Sequence, residues 1–455
     1  MYSMTVSEVI ECTKGTLLCG DADTVITNIC FDSREVKPGD LFVPLEGAKI
    51  DGHRFIESAL EKAAATLTMR HSGVVIAEKP YIQVDDTLRA MQEIGAYIRN
   101  KFTCPIIGVT GSVGKTTTRE MIATALSPNA NVYQTIKNYN SQIGLPVTLF
   151  RMPEDTDFAV IEMGMSEKGE MERLSEMARP DICVITKIGV AHIENIGSRE
   201  GIRKEKFDIT SHMNEGGILF LNGDDELLKE MKGRTLCETR FFGTAAWCEF
   251  RAENVKIRDD FMYEYDYVHD DTRIHVKLNA LGRHNVINSL VGMAIADYLN
   301  RDLEAAAKAY EGFSGMRQKL IRIPGKYSII DDTYNASPDS MRAAIDVLDS
   351  IEVEGKKLIV LGDMLELGED SGRYHYEVGE YLAGKKIDEL IVVGELAQQI
   401  KKAVEDKNSH VKCYSFKDNG EVVLYLMSVM APEDIVLLKA SNGMHLSEIV
   451  SNMCG

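Results

Sequence analysis

The segment Gly108-Val109-Thr110-Gly111-Ser112-Val113-Gly114-Lys115-Thr116-Thr117 gathers the groups needed to hold a polyphosphate. The apolar run Cys104-Pro105-Ile106-Ile107 precedes it. Arg119-Glu120-Met121-Ile122-Ala123-Thr124-Ala125-Leu126 follows, with helix formers and an apolar stripe. A strand, a glycine-rich turn and a helix opening on Gly-Lys-Thr make an anion cradle, because amides at the helix start and the helix dipole both point at the ligand. Gly111 and Gly114 let the backbone approach an anion and take positive φ. Ser112, Val113 and Thr117 complete the loop. Lys115 would reach the β and γ phosphates, and the Thr116 hydroxyl would sit on Mg²⁺. The strict phosphate-loop pattern wants glycine at 109, where Val109 stands. The segment therefore predicts a chain that spends ATP or GTP; the competing reading is an ordinary glycine-rich turn.

Other residues need more context. Glu162 closes the apolar run Phe158-Ala159-Val160-Ile161. A carboxylate at the carboxyl end of a parallel strand suits a metal, or it is a solvated strand-end acid. His192 follows Ile188-Gly189-Val190-Ala191 and is a candidate metal ligand, although nitrogen is unusual for Mg²⁺. Lys204 and Lys206 lie in a charged run that pattern alone reads as an exposed helix face. Asn138 and Asn140 mark a polar turn. Asn285 and Asn288 share one helix face and could cap the helix or read a base edge, capping being the reading that pattern favours. Asp331-Asp332-Thr333-Tyr334-Asn335-Ala336-Ser337-Pro338-Asp339 follows another apolar run. Its acids and Asn335 fit the ligand crevice of an open sheet, and Ser337 or Asp339 could cap the next helix.

The elements that must position these groups read as α/β. At 455 residues the chain exceeds what one core usually supports. Residues 1–85 read as a small mixed α/β domain, with a Pro38-Gly39-Asp40 turn and a strand over 41–45. Residues 86–101 read as a linking helix. Residues 86–320 alternate apolar strands (158–163, 182–186, 218–221) with helices, which predicts a covered parallel sheet, plus an antiparallel hairpin over 249–278. Glycine and proline cluster at 312–325, a boundary. Residues 321–455 then repeat strands at 327–330, 357–361, 389–393 and 434–438, a Rossmann-like doubly wound domain. The net charge of −19 argues against nucleic acid as a partner. No apolar run of about 18 residues or signal-peptide pattern is present. Nine scattered cysteines without a C-x-x-C pair read as reduced thiols. Together these point to the cytoplasm.

Taken together, the motifs resemble the Mur ligases, the ATP-dependent amide-bond enzymes of peptidoglycan synthesis, nearly end to end. The shifted glycine spacing around Val109 is shared with that family. Three segments look like the family member that adds D-alanyl-D-alanine to the UDP-N-acetylmuramoyl tripeptide: Asp32-Ser33-Arg34 with Lys37-Pro38-Gly39-Asp40-Leu41-Phe42, residues 331–338, and Gly362-Asp363-Met364-Leu365-Glu366-Leu367-Gly368. The resemblance implies roles that pattern does not supply. Ser33 and Arg34 would hold the UDP end, and Asn138 and Asn140 would shape the central site. Glu162 and His192 would bind metal beside Thr116. Lys206 would be carbamylated and serve a second Mg²⁺. Asn285 and Asn288 would contact adenine, Arg317 the γ-phosphate and Asp332 the ribose. Asn335 and Ser337 would face D-alanyl-D-alanine. The chain departs from the family at Asn442, where relatives carry arginine, and at Pro44, where alanine is usual.

The resemblance implies a monomeric ligase acting on small molecules through an acyl phosphate, serving cell-wall growth, cell shape and division. Another Mur step, a folylpolyglutamate synthetase, a regulatory P-loop ATPase and a non-catalytic binding protein are the alternatives.

Overall fold

In a computed structural model, the structure describes residues 2–47, 50–70, 78–315 and 317–454. The chain divides into two compact units. One comprises residues 1–110, 129–184 and 205–219; the other comprises residues 111–128, 185–204 and 220–455.

The first unit begins with a five-stranded sheet in the spatial order Thr16–Cys19, Tyr81–Gln83, Ala65–Thr68, Asp40–Phe42, Asn28–Cys30. Only the first pairing is antiparallel. The expected turn at 38–40 is present: Gly39 has φ +89°, and the Asp40 carboxylate accepts from the Lys37 amide at 2.9 Å. The strand after it is Asp40–Phe42, shorter than the expected 41–45, and Pro44 has no N–H to extend a ladder. The linking helix is Thr87–Arg99, capped by Asp86. It packs Met91, Ile94 and Ile98 against Leu41, Leu67 and Ile82.

The phosphate-loop strand Ile106–Thr110 belongs to a nine-stranded sheet. Its order is Thr272–Leu281, Met262–His269, Phe250–Ile257, Glu238–Gly243, Ile218–Asn222, Ile182–Ile185, Ile106–Thr110, Phe158–Glu162, Val132–Gln134. Ile106, Ile107, Val109, Val160, Ile161 and Val184 are all buried, as continuous apolar runs predict for strands covered on both faces. The expected hairpin over 249–278 is instead a three-strand antiparallel meander reaching Leu281, joined in parallel to Glu238–Gly243. Alternating residues such as Tyr263, Tyr265 and Tyr267 bury one of its faces.

In the second unit a six-stranded sheet runs Lys319–Arg322, Ser328–Asp331, Ile435–Lys439, Lys357–Gly362, Glu389–Val393, Lys412–Phe416. All pairings but the first are parallel. Neighbouring residues on each strand serve opposite faces. Ile330, Ile359, Leu390 and Leu437 pack under one helical layer, while Ile329, Leu358, Ile391 and Val436 pack under the other. This is the expected doubly wound arrangement. Two strands were not expected. Lys319–Arg322 lies within the 312–325 boundary and turns back through Gly325, φ +71°. Lys412–Phe416 is an edge strand whose polar residues hide its pattern.

Candidate active site

The second unit holds the phosphate loop. Gly111 and Gly114 take φ +152° and +87°, the two positive-φ positions the loop requires. The helix Lys115–Leu126 opens without a side-chain cap hydrogen bond among the described residues, the arrangement of an anion-binding helix start. The Ser112 hydroxyl is buried without a hydrogen-bond partner among the described residues. Other chain segments hold the loop from outside. The Ser112 amide donates to the Lys187 carbonyl at 2.8 Å. The Thr186 hydroxyl donates to the Val113 carbonyl at 2.6 Å, and Asn222 Nδ2 donates to the Thr186 carbonyl at 2.9 Å. A Cβ at Gly111 would collide with Thr186 Oγ1. Lys115 Nζ donates to the Gly111 carbonyl at 2.8 Å and thus folds back over the loop. Arg317 reaches Thr116 Oγ1 at 3.3 Å, with its guanidinium 3.2 Å from the Tyr334 ring centre. A helix start without a side-chain cap, a buried Ser112 hydroxyl and two cations at one loop, Lys115 and Arg317, fit a triphosphate.

The helix Arg283–Tyr298 carries Asn285 and Asn288. Asn288 Nδ2 donates to Asn285 Oδ1 at 2.8 Å, and Asn285 Nδ2 donates to the Leu281 carbonyl at 2.7 Å. Asn288 Oδ1 accepts from Thr118 Oγ1 at 3.1 Å. Neither amide caps the helix, contrary to the capping reading; the pair straps this helix to the phosphate-loop helix.

The 331–337 loop follows strand Ser328–Asp331. Asp331 accepts from the Thr333 amide and hydroxyl at 3.1 and 2.7 Å. Asp332 accepts from buried Lys439 at 2.9 Å and from Gln318 at 3.1 Å. Lys439 also donates to the Asn335 carbonyl at 2.8 Å. Ser337 caps the helix Pro338–Ser350 in a capping box with Ser340, as one reading of the sequence held. Burial pushes His284 below its ordinary 6.5, with Asp332 pulling the other way. His192 takes φ +63° at the start of the short helix Ile193–Ile196, and its Nδ1 lies 3.6 Å from the Glu366 carboxylate.

The first unit holds the remaining candidates except Lys204. Glu162 is 3% exposed, so it is not a solvated strand-end acid. Its Oε1 accepts from Asn140 Nδ2 at 2.7 Å, and its amide donates to Thr135 Oγ1 at 2.8 Å. Asn138 is exposed; its carbonyl accepts from the Asn140 amide at 2.8 Å. In the helix Arg199–Phe207, Lys204 is exposed but Lys206 is only 1% exposed. The solvated-face reading therefore holds for Lys204 and fails for Lys206. Arg34 clamps Asp32 through Nε and Nη2 at 2.9 and 2.6 Å, and these bonds hold the Asp32 carboxyl down at about 2. Arg34 itself is exposed, beside half-buried Ser33. Asn140 on Glu162, Lys439 on Asp332 and Tyr334 under Arg317 were invisible in the sequence, because each pairing joins distant segments.

Three family models cover most of the chain: the Mur ligase family catalytic domain over 25–99, the Mur ligase middle domain over 109–296, and the Mur ligase glutamate ligase domain over 316–442. The UDP-N-acetylmuramoyl-tripeptide--D-alanyl-D-alanine ligase of Bacillus subtilis strain 168 is 38% identical, with 100% of this chain and 99% of the relative covered. The crystal structure of MurF from Acinetobacter baumannii superposes with a TM-score of 0.90 at 27% identity, covering 100% of this chain and 99% of that one. MurF ligase from Thermotoga maritima in complex with ADP gives 0.83 at 27% identity, covering 93% and 96%. Matched over most of its length by family models and end to end by a 38% identical relative, this chain belongs to the Mur ligase family.

Proposed function

We propose that this chain joins D-alanyl-D-alanine to a UDP-N-acetylmuramoyl tripeptide, spending ATP and releasing ADP and phosphate. The observation that carries this is the phosphate loop, whose helix start has no side-chain cap and whose Ser112 hydroxyl has no partner among the described residues, in a chain 38% identical to such a ligase end to end.

The reaction has two chemical steps. A free carboxylate of the tripeptide attacks the ATP γ-phosphorus and forms an acyl phosphate. The amine of D-alanyl-D-alanine then attacks the carbonyl, and phosphate leaves. Two anions must meet in the first step, so the site must neutralise charge. Lys115 and Arg317 supply it, with the amides of residues 111–117 on the phosphates. Mg²⁺, for which Thr116 and His192 in the second unit and Glu162 in the first are the candidate ligands, would supply further charge compensation, and a carbamate on Lys206 would serve a second ion. Lys206, only 1% exposed, is the candidate for that carbamate. The strap made by Asn285 and Asn288 offers amide edges for adenine, Asp332 serves the ribose, and Asn335 and Ser337 serve the incoming dipeptide. Ser33, Arg34, Asn138 and Asn140 serve the UDP-tripeptide.

In this reading residues 1–85 bind the UDP end, 86–320 bind ATP, and 321–455 bring the amine and exclude water from the acyl phosphate. Among the described residues no helix is long and apolar enough to cross a membrane. ATP and the UDP-linked substrate place the enzyme in the cytoplasm, and it works as a monomer.

The test is phosphate release from ATP with UDP-N-acetylmuramoyl tripeptide, carrying lysine or meso-diaminopimelate, with and without D-alanyl-D-alanine. Release that needs both substrates and a matching mass gain in the product is the expected result. Release without the dipeptide would instead favour a regulatory ATPase.

A further inference from the structure

We propose that Lys187 and Asp339 are positioning residues that tie the start of the acceptor-side helix to the phosphate loop, so that the acyl phosphate meets the amine before it meets water. The proposal rests on the ligase reading above. Lys187 Nζ lies 2.9 Å from Asp339 Oδ1. Asp339 is the second residue of the helix Pro338–Ser350, immediately after the Asp331–Ser337 turn. The backbone of the same lysine is bound to the phosphate loop: its carbonyl takes the Ser112 amide at 2.8 Å, and neighbouring Thr186 holds the Val113 carbonyl. Gly189 completes the arrangement. A Cβ there would lie 3.3 Å from Ser112 Cβ and would collide with Asp339 Oδ2. Residues 186–189 therefore sit between the phosphate loop and the acceptor-side helix and touch both.

The pair is half-wet, with side chains 45% and 22% exposed. Such ion pairs are weak, which suits a contact that must open in every turnover. Without it, water attacks the acyl phosphate, regenerates the carboxylate and releases phosphate. ATP is then hydrolysed with no amide formed.

The experiment measures phosphate and amide product in parallel for the parent, Lys187→Met, Asp339→Asn, Gly189→Ala and Lys187→Arg. The parent should release one phosphate per amide. Lys187→Met and Asp339→Asn should raise the ratio of phosphate to amide above that of the parent. Gly189→Ala should do the same by displacing the carboxylate, while Lys187→Arg keeps the charge and should stay coupled. A purely structural defect lowers both products together and leaves their ratio at the parent value. An unchanged ratio in both Lys187→Met and Gly189→Ala overturns the proposal. A parent that makes no amide refutes the ligase reading itself, seen in the control alone, and the proposal falls with it.

Discussion

The phosphate loop and the 331–337 loop lie in the same unit and each follows a sheet strand, yet their polar groups are in opposite states. In the first, the helix start is uncapped and the Ser112 hydroxyl has no partner among the described residues. In the second, Asp331 is bonded to Thr333, Asp332 to Lys439 and Gln318, and the following helix is capped by Ser337. The difference follows from what each can leave buried. Backbone amides at a helix start carry partial charge and tolerate solvent until an anion arrives. A buried carboxylate left without a cation would carry a large desolvation cost, so Asp332 keeps Lys439 beside it. One loop leaves groups open; the other already satisfies its own from within.

Breaking the open loop should have the largest effect. Lys115→Ala is expected to lower kcat at least ~10²-fold, the scale of losing a preorganised donor to a developing charge. Steady-state rates within tenfold of the parent would remove Lys115 from the reaction. Next comes Lys206→Ala, expected to lose roughly 10- to 100-fold, as loss of a metal-supporting group does. Short carboxylic acids should restore part of that activity, and full activity without them would show that no carbamate is needed.

The self-satisfied loop should respond in stability before catalysis. Lys439→Met leaves Asp332 buried without its cation and should cost about 3 kcal/mol, read by denaturant unfolding. The double variant with Asp332→Asn should recover much of that loss. If the single variant is as stable as the parent, the pair is not what holds this loop.

The smallest effect is a pH dependence of stability. Burial pushes His375 below the ordinary 6.5. The neutral ring is the bound form: Nε2 accepts from the Met364 amide at 2.8 Å, and Nδ1 contacts the Ser371 carbonyl at 2.7 Å. Below pH 6.5 the unfolded chain takes up a proton that the folded chain refuses. Stability is therefore full above 6.5 and falls as pH drops towards the folded value. Melting temperatures from about pH 7.5 to about pH 5.5 should fall more steeply for the parent than for His375→Asn. Parallel curves would mean that the ring does not refuse the proton.

What the sequence made legible was local. The phosphate loop is contiguous, so its glycines, lysine and threonine announce it without any tertiary information. The buried strands read out because residues such as Ile359-Val360-Leu361 serve two apolar layers at once. The edge strands Lys319–Arg322 and Lys412–Phe416 escaped because each is short and mixes charged or polar residues with the few apolar ones that pack on the two layers. Lys206 escaped because burial of one lysine in a charged run depends on what the helix packs against, which spacing does not encode. Pairings such as Lys187 with Asp339, 152 residues apart, leave no trace in either neighbourhood.

Gly111 has a consequence for resistance. Its positive φ and the Thr186 hydroxyl facing it leave no space for any side chain. Thr186 is itself tied to the phosphate loop and to Asn222, so it cannot simply turn away. Gly312, by contrast, faces open space and should accept substitution freely. An inhibitor that draws its affinity from the backbone at 111 would press on a position where escape by substitution is sterically closed.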